Sequence, residues 1–199
     1  DAVAACVVFK KAKPSKKDYR KYLIKTVVGP DDYASMQEVV RRRYSRILEE
    51  QGELPDLILT DGGKGQMEVV RQVIEDELHL QIPIVGLAKN NRHRTSEVLF
   101  GFPPQTLGIK QGTPLFHLLE NIQDEVHRFA ITFHREKRSK SQIASALDNI
   151  KGIGDKRKTA LLKKFKSVAR IRQASLEEIA EVIGESAAKS VKESLSESK

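Results

Sequence analysis

The sequence predicts an α/β fold, a mixed sheet with flanking helices, followed by a small all-α domain. Apolar runs typical of strands alternate with helical patterns up to about residue 90. A long amphipathic helix follows, and the last part of the chain is an approximate helical repeat. After Arg138 the composition changes, which predicts a Lys/Ser-rich linker there, and we place a domain boundary near residue 139, between residues 1–139 and 140–199.

Two strands and a helix begin the chain. Val3–Phe9 is rich in β-branched residues, Asp18–Val27 is a second strand candidate, and a Lys-Pro-Ser turn lies between them, so an antiparallel pair is predicted. A helix with an aspartate cap is predicted over residues 31–50. Arg43 falls on its apolar stripe, where it either extends to the edge of the stripe or meets an acidic or phosphate partner in a cleft. Arg43 is therefore a candidate site residue.

The next segments alternate between strand and helix. A strand over Asp56–Thr60, a helix from about Lys64 to Leu78 and a strand over Ile82–Leu87 are typical of an α/β sheet. The polar, Pro-interrupted segment from Lys89 to Pro114 is predicted as a loop. A long helix is then predicted from about Leu115 to Arg135.

The polar face of this long helix has two acids and two histidines, Glu120, Asp124, His127 and His134. His127 lies one turn after Asp124 in the segment "DEVHRF". A histidine beside a reacting phosphodiester can transfer a proton or orient the attacking water. His127 is therefore a candidate catalytic residue, although a lone helical histidine is more often a surface residue.

Charge and cysteine content limit the function classes. One cysteine and no apolar run of membrane-spanning length predict a cytoplasmic protein with no disulfide framework and no membrane contact. The formal net charge is +8, and residues 135–172 alone have thirteen Lys or Arg against three acids. A second basic run, Lys10–Lys25, has eight against one. Such clusters suit a phosphate backbone, and solvated lysine-rich faces have the same composition.

The first copy of the tail repeat predicts a phosphate-binding turn. In "LDNIKGIGDKRKTALLKKF", Gly152 and Gly154 form a turn that leads directly into a helix, so free N–H groups and the positive end of the helix dipole lie together. Lys156, Arg157 and Lys158 add positive charge. An ordinary glycine-containing helix connection is the alternative.

The second copy, "LEEIAEVIGESAAKSVKESL", has Gly184 at the corresponding turn. Glu185 follows where a cation would favour phosphate binding. We therefore interpret this copy as a degenerate partner of the first.

Asp61, in "PDLILTDGGKGQ", has three interpretations. In the first, Asp61 caps the following helix and the glycines form the turn. In the second, the glycine-rich loop binds a nucleotide phosphate, although the Walker and dinucleotide spacings are absent. In the third, the carboxylate lies at the end of a sheet strand, near a Mg²⁺ or Mn²⁺ ion. Hydrolysis of a phosphodiester uses such an ion to stabilise charge on the attacking and leaving oxygens.

Four segments resemble the UvrC family, the incision subunit of the bacterial excinuclease ABC complex. They are, in order, "LILTDGGKGQ", "GLAKNNRHRTSE", "IQDEVHRFAITFHR" and "IKGIGDKRKTALLKKF", and the resemblance to the C-terminal half of that family covers essentially the whole chain. It implies an RNase H-like endonuclease domain followed by a tandem helix-hairpin-helix domain. The implied function is a metal-dependent DNA endonuclease module that makes the 5′ incision in nucleotide excision repair. A non-catalytic DNA-binding and docking module is the alternative.

The resemblance also implies roles for individual residues. Asp61 matches the second Asp of the family's Asp-Asp-His site, with Mg²⁺ or Mn²⁺ held directly or through water, and His127 matches the catalytic His. We expect a supporting set around the active site, Arg43, Lys64, Lys89, His93 and Asp124. DNA contacts are expected at Gly152, Gly154, Lys156, Arg157, Lys158 and Gly184.

The family's first Asp lies on a strand before the segment "VAACVVF", and this chain starts at Asp1. We therefore expect an excised fragment that cuts DNA poorly or not at all by itself. The partners implied by the resemblance are damaged double-stranded DNA and the other excinuclease subunits, UvrB with UvrA acting upstream.

Overall fold

The chain divides into two compact units, residues 1–130 and residues 131–199. The computed structural model describes residues 2–92 and 95–197. The domain boundary near residue 139 stays a prediction.

The first unit is built from short strands and two helical segments, followed by the start of a long helix. In chain order it contains β1 (Val3–Cys6), β2 (Phe9–Lys10), β3 (Lys13–Pro14), a 3₁₀ turn (Lys16–Asp18), β4 (Arg20–Leu23), α1 (Asp32–Glu49), β5 (Ile58–Thr60), α2 (Lys64–Arg71) continued by a π-helix (Gln72–Glu77), β6 (Ile84–Lys89), β7 (Thr95–Phe100), β8 (Gln105–Thr106) and the start of α3 (Pro114–Leu147).

The leading strands pair as predicted. β1 and β4 are antiparallel, with Val3 opposite Leu23, which confirms the predicted pair. β2 and β3 form an additional small hairpin. Helix α1 begins after Asp31, whose side chain accepts a hydrogen bond from the backbone N–H of Ala34 at 2.9 Å, so the predicted capped helix is confirmed.

The main sheet has the order β5-β6-β7-β8. β5 and β6 are parallel, and β7 is antiparallel to both of its neighbours. The predicted loop from Lys89 to Pro114 is therefore wrong in part, because it contains β7 and β8. Only four residues of β7, from Glu97 to Phe100, resemble a strand, and the surrounding Gly, Pro and polar residues obscured them.

Helices cover both faces of β6. Ile84 packs with Met67 and Val70 of α2, whereas Val85 and Leu87 pack with Phe116 and Leu119 of α3. Burial on both faces explains the continuous apolar run of this strand. Within the described residues, β1 is paired only with β4 and β5 only with β6, so each has one edge without a described partner strand.

A buried carboxylate connects α1 to the segment that follows β4. Glu38 is 4 % exposed and accepts hydrogen bonds from the backbone N–H groups of Lys25 and Thr26 and from the Thr26 hydroxyl at 2.7 Å. The Thr26 hydroxyl, the two N–H groups and Arg42 lower the pKa of Glu38 to about 2. The bonds stabilise the charged form and offset its burial.

The second unit is helical. It contains the end of α3, then α4 (Asp155–Phe165), α5 (Val168–Gln173), α6 (Leu176–Ile183) and α7 (Glu185–Glu197). Its core is formed by apolar side chains of all these helices, among them Ile143, Leu147, Leu161, Phe165, Ile171, Ile179 and Val191. The two helices of the second copy, α6 and α7, flank Gly184 as the repeat predicts.

The Lys/Ser-rich linker predicted after Arg138 is wrong, because α3 continues without a break to Leu147. Ile143 and Leu147 are 1 % and 0 % exposed, and their spacing of four extends an apolar stripe through the polar segment. Tertiary burial of these two side chains stabilises the helix where composition favoured a loop. Among the described helices, none is long and apolar enough to cross a membrane.

Candidate functional site

Three strand ends bring polar residues to one edge of the main sheet, the edge at which β5 and β6 have their carboxyl ends. β5 and β6 are parallel, so Asp61, which follows β5, and Lys89, which ends β6, lie at the same edge. Thr95 begins β7 and is paired with Lys89 in the antiparallel register. The topology therefore places an acid, a lysine and a threonine side by side.

Helix α3 adds two side chains to this edge. Gln123 and His127 are four residues apart and so lie on the same face of the helix. Gln123 is 6 % exposed, whereas the side chain of His127 is 43 % exposed and that of Asp61 is 28 % exposed. We refer to Asp61, Lys89, Thr95, Gln123 and His127 as the Asp61 cluster.

The Asp61 carboxylate is the centre of the cluster. His127 Nε2 lies 2.6 Å from Asp61 Oδ2, although the two residues are 66 positions apart in the sequence. Gln123 Nε2 donates to Oδ1 at 2.7 Å, and Lys89 Nζ lies 2.9 Å from the same oxygen. Lys89 Nζ is also 3.3 Å from His127 Nε2. The two candidate catalytic residues therefore share one site.

Thr95 fixes the orientation of Gln123. The Thr95 hydroxyl donates to Gln123 Oε1, and both residues are buried. With its oxygen accepting from Thr95, the Gln123 amide has its NH₂ group directed to Asp61. Sequence reasoning missed both residues. The signal for Gln123 was a polar side chain within the apolar stripe, between Leu119 and Val126; Thr95 had no comparable signal.

The loop that follows Asp61 packs closely on strand β6. The residue that caps α2 is Gly63, so the interpretation of Asp61 as a helix cap is wrong. Gly86 of β6 lies beneath the loop: a Cβ there would come within 2.5 Å of Met67 Sδ and 2.8 Å of the Gly62 carbonyl oxygen. The absence of a side chain at Gly86 allows the loop that ends at Gly63 to lie directly on the sheet.

The remaining supporting candidates lie elsewhere or make no described contact in the cluster. Arg43 interacts with Cys6 and Tyr22, away from the residues that surround Asp61. Lys64 is the exposed first residue of α2, and Asp124 is exposed on α3. His93 lies outside the described residues. Among the members of this set that the structure describes, Lys89 is the residue with contacts to Asp61 and His127.

The geometry defines which nitrogen of His127 is basic. Because a carboxylate oxygen only accepts hydrogen bonds, Nε2, which lies 2.6 Å from it, bears the proton and donates a hydrogen bond to Asp61. Nδ1 then has the free lone pair in the neutral ring. Because the imidazole is 43 % exposed, water can reach it. The arrangement can therefore orient an imidazole and accept a proton from water at Nδ1.

The described residues do not by themselves form a complete metal site. No group of three or more His, Cys, Asp or Glu side chains among them is placed to hold a metal ion. Asp61 and His127 have donor types that suit a divalent cation. However, the carboxylate already receives three donors, one of them an ammonium at 2.9 Å. A divalent cation would have to displace at least one of them or be held by an additional acid.

The first turn of the tail has an open arrangement. Gly152 has φ of +85°, Gly154 is the residue before α4 and has no side-chain cap, and Lys156 is exposed. The first N–H groups of α4 therefore lack helical partners. Arg157 donates to the Gly152 carbonyl at 2.5 Å. Lys158 is paired with Asp148 at 2.5 Å, so its charge is already compensated within the unit.

The second turn differs from the first in backbone and in charge, because Gly154 before α4 has φ of −90° whereas the glycine before α7 has a positive φ. Gly184 has φ of +88° and precedes α7 as Gly154 precedes α4. The first residue of α7 is Glu185, which is exposed. Helix α4 also begins with an acid, Asp155, so the turns differ in the residues that follow: Lys156 and Arg157 in α4, Ser186 and Ala187 in α7. The added positive charge makes the first turn better suited to a phosphate.

Comparisons with known proteins agree with this architecture. Residues 1–131 match the family described as the UvrC RNase H endonuclease domain, and residues 144–197 match the SAM-like helix-hairpin-helix tandem. The predicted fold class, an RNase H-like mixed sheet with flanking helices followed by a helical helix-hairpin-helix domain, is confirmed.

Curated relatives named UvrABC system protein C match almost the whole chain. The protein of Bacteroides thetaiotaomicron is 80 % identical over 98 % of this chain, that of Bacteroides fragilis 78 % over 98 %, and that of Streptococcus uberis 61 % over 89 %. The matches cover 32 %, 32 % and 30 % of those relatives, so the chain spans about a third of their length. The chain belongs to the UvrC family, with a UvrC RNase H endonuclease domain and a helix-hairpin-helix tandem.

Proposed function

We propose that the chain is the module of a DNA endonuclease that makes the 5′ incision in bacterial nucleotide excision repair. The observation that supports this most strongly is the direct contact between Asp61 and His127, which come from distant parts of the sequence. A half-exposed imidazole, a carboxylate and a lysine meet at the carboxyl end of a sheet strand, where open α/β sheets place their ligand sites. Hydrolysis of a phosphodiester needs such groups together.

Each residue of the cluster has a distinct part in the proposed reaction. Asp61 holds the His127 ring through Nε2, which leaves Nδ1 to accept a proton from the attacking water. Gln123 and Thr95 fix the carboxylate from the buried side. The Lys89 ammonium offsets the charge of Asp61, so that a phosphate diester can approach a site whose carboxylate would otherwise repel it.

Metal dependence, with Mg²⁺ or Mn²⁺, is part of the proposal. It is supported by the family resemblance and by the donor types of Asp61 and His127. Because the described residues lack a complete ligand set, we propose that a second acid comes from a strand that precedes β1 and lies between β1 and β5. In the described residues, both of these strands have an edge without a partner.

The second unit supplies binding rather than chemistry. We propose that the turn at Gly152–Gly154, with Lys156 and Arg157, contacts phosphates of damaged double-stranded DNA without base recognition. The other excinuclease subunits, UvrB and UvrA, are the proposed protein partners, and the bacterial cytoplasm is the proposed location.

The deciding experiment measures incision with Asp61→Ala. A protein of the relatives' full length that contains this chain is mixed with the partner subunits, Mg²⁺ and a duplex with one defined lesion. We expect 5′ incision to fall by about 10²-fold or more, with the 3′ cut retained. Asp56→Ala, which removes an exposed acid before β5, is the matched control and should cut normally.

The same experiment separates the alternative function. A non-catalytic DNA-binding and docking module predicts equal 5′ incision by Asp61→Ala and the unaltered protein. It also predicts that chelation of divalent ions changes no step that depends on this chain. Either result would disprove the nuclease assignment.

A further inference from the structure

A lysine-rich hairpin in the first unit has no part in the function proposed so far. We call residues 9–17 the basic hairpin; they comprise β2, β3 and most of the following 3₁₀ turn. Nine residues contain five lysines and no acid: Lys10, Lys11, Lys13, Lys16 and Lys17. All five are exposed. Such a density of one charge on a short ordered segment requires an explanation.

The local geometry of the hairpin is unfavourable for these residues. Lys10 lies directly opposite Lys13 in the register of β2 and β3, and like charges directly opposite each other destabilise a strand pair. The two turn residues, Lys11 and Ala12, have φ of 51° and 60°, a conformation in which Asn-Gly is strongly preferred. Departures from local preference with no gain in packing are typical of functional segments.

The hairpin is nevertheless held in place. Ser15 N–H donates to the Val8 carbonyl at 2.7 Å, and the Ser15 hydroxyl donates to Asp18 at 2.6 Å. Lys10 lies 3.4 Å from Asp18 and 3.7 Å from Glu53. The nearby acids thus compensate Lys10 beside the turn, while Lys11 and Lys13 form no ion pair with any described residue.

The basic hairpin is attached to the helix that bears His127. Tyr19, just after the hairpin, donates its hydroxyl hydrogen to Glu125 at 2.9 Å, and its ring lies 5.0 Å from that of Phe129. Gln123 and Phe129 are separated by only about 9 Å along a helix axis. Tyr19, two residues after the hairpin, and the Asp61 cluster therefore contact the same short stretch of α3.

We propose that the basic hairpin is a second binding surface for the phosphate backbone of duplex DNA, separate from the helical turns of the tail. It rests on the proposed function for its partner, because the DNA to be cut is the polyanion that must lie against this unit. The chemistry of recognition is charge: flexible ammonium groups on a fixed turn, which contact phosphates rather than base edges. Each phosphate neutralised would add about 0.9 to the salt slope of binding.

The test compares two charge-matched double variants of the 199-residue chain. Lys11→Gln with Lys13→Gln removes two lysines of the basic hairpin; Arg41→Gln with Lys110→Gln removes two exposed cations that lie outside both basic runs of the sequence. Binding to a fluorescent undamaged duplex is measured from 50 to 300 mM salt. Each pair is made in the unaltered chain and in Lys156→Glu with Arg157→Glu, where the tail contributes less.

The expected result is specific to the hairpin pair. We expect the magnitude of its salt slope to fall by about 1.8, with a several-fold loss of affinity in both backgrounds and no loss of thermal stability, whereas the control pair behaves as the parent. Lys11→Arg with Lys13→Arg should retain binding. These measurements need no incision, so they stand even if Asp61→Ala cuts normally.

Two outcomes would overturn the proposal. One is equal salt slopes for the hairpin pair and the control pair. The other is unchanged duplex binding together with loss of binding to polyglutamate, a probe for acidic protein surfaces, which would assign the hairpin to a protein partner instead.

Discussion

The Asp61 cluster and the first turn of the tail use charge in opposite ways. In the cluster, one carboxylate receives donors from Gln123, Lys89 and His127, and its groups largely satisfy one another. In the turn, Gly154 leaves backbone N–H groups uncapped and Lys156 is exposed. Mutual hydrogen bonds fix direction, which chemistry needs, whereas open charge attracts an external polyanion, which binding needs. The comparison predicts that the two regions can be damaged separately.

The largest separate effect is expected from His127→Gln. The glutamine amide can still donate to Asp61 but has no basic nitrogen, so the rate of 5′ incision should fall by about 10²-fold or more. Single-turnover cleavage of damaged duplex by the full-length complex measures the rate, and fluorescence anisotropy measures DNA affinity. A parallel fall in affinity would show that the cluster also binds DNA and would weaken the contrast.

The reciprocal change is Lys156→Glu combined with Arg157→Glu. We expect DNA affinity to fall about tenfold and the salt slope to decrease by about 2, equally for duplexes of different sequence. At saturating DNA, the single-turnover incision rate should stay near that of the parent. Lys163→Glu with Lys164→Glu, on the same helix away from the turn, is the control. A shift in base preference without loss of affinity would contradict phosphate contact.

A smaller effect is expected from Thr95→Val, which tests the support behind the carboxylate. The isosteric change removes the donor to the buried Gln123 oxygen, so the free energy of unfolding should fall by about 1–2 kcal/mol. Incision at saturating DNA should fall about fivefold because the amide is free to rotate away from Asp61. Thr95→Ser restores the hydroxyl and should recover both quantities. Loss of stability with full activity would show that Gln123 has a structural role alone.

The smallest effect is expected from Glu185→Lys, which replaces an acid by a cation at the start of α7. We expect duplex affinity to rise about two- to threefold and the salt slope to increase by about 1, with a slight loss of helix stability because an acid at a helix N-terminus is favourable. The measurement is anisotropy titration of the chain alone. If affinity is unchanged, the second turn does not face DNA, and the two copies differ in more than charge.

Sequence patterns predicted the elements whose signal is local. The capped helix from Asp31, the apolar strand before Asp61 and the Gly-containing turns of the tail all have strong preferences in their own residues. The prediction of a linker after Arg138 was wrong because burial of Ile143 and Leu147 overrides the polar composition of that segment. The strands β7 and β8 were not predicted because pairing with neighbouring strands, rather than their own sequences, defines them.

The sequence predicted the central pair of the candidate site, Asp61 and His127, but not the residues that support the pair. The resemblance identified Asp61 and His127, and the parallel pairing of β5 and β6 explains why Lys89 joins them. Gln123 and Thr95 could not be predicted as a pair, because their hydrogen bond depends on how α3 packs against β7. Arg43, although it lies on an apolar stripe, interacts with Tyr22 of β4 instead.

The one-sided pairing of β1 and β5 has a consequence for the behaviour of the chain in solution. A strand edge with unpaired N–H and C=O groups is a template for a strand from another molecule. We expect the isolated chain to self-associate as its concentration rises, and light scattering to detect it. A synthetic peptide able to pair with both edges should suppress that association.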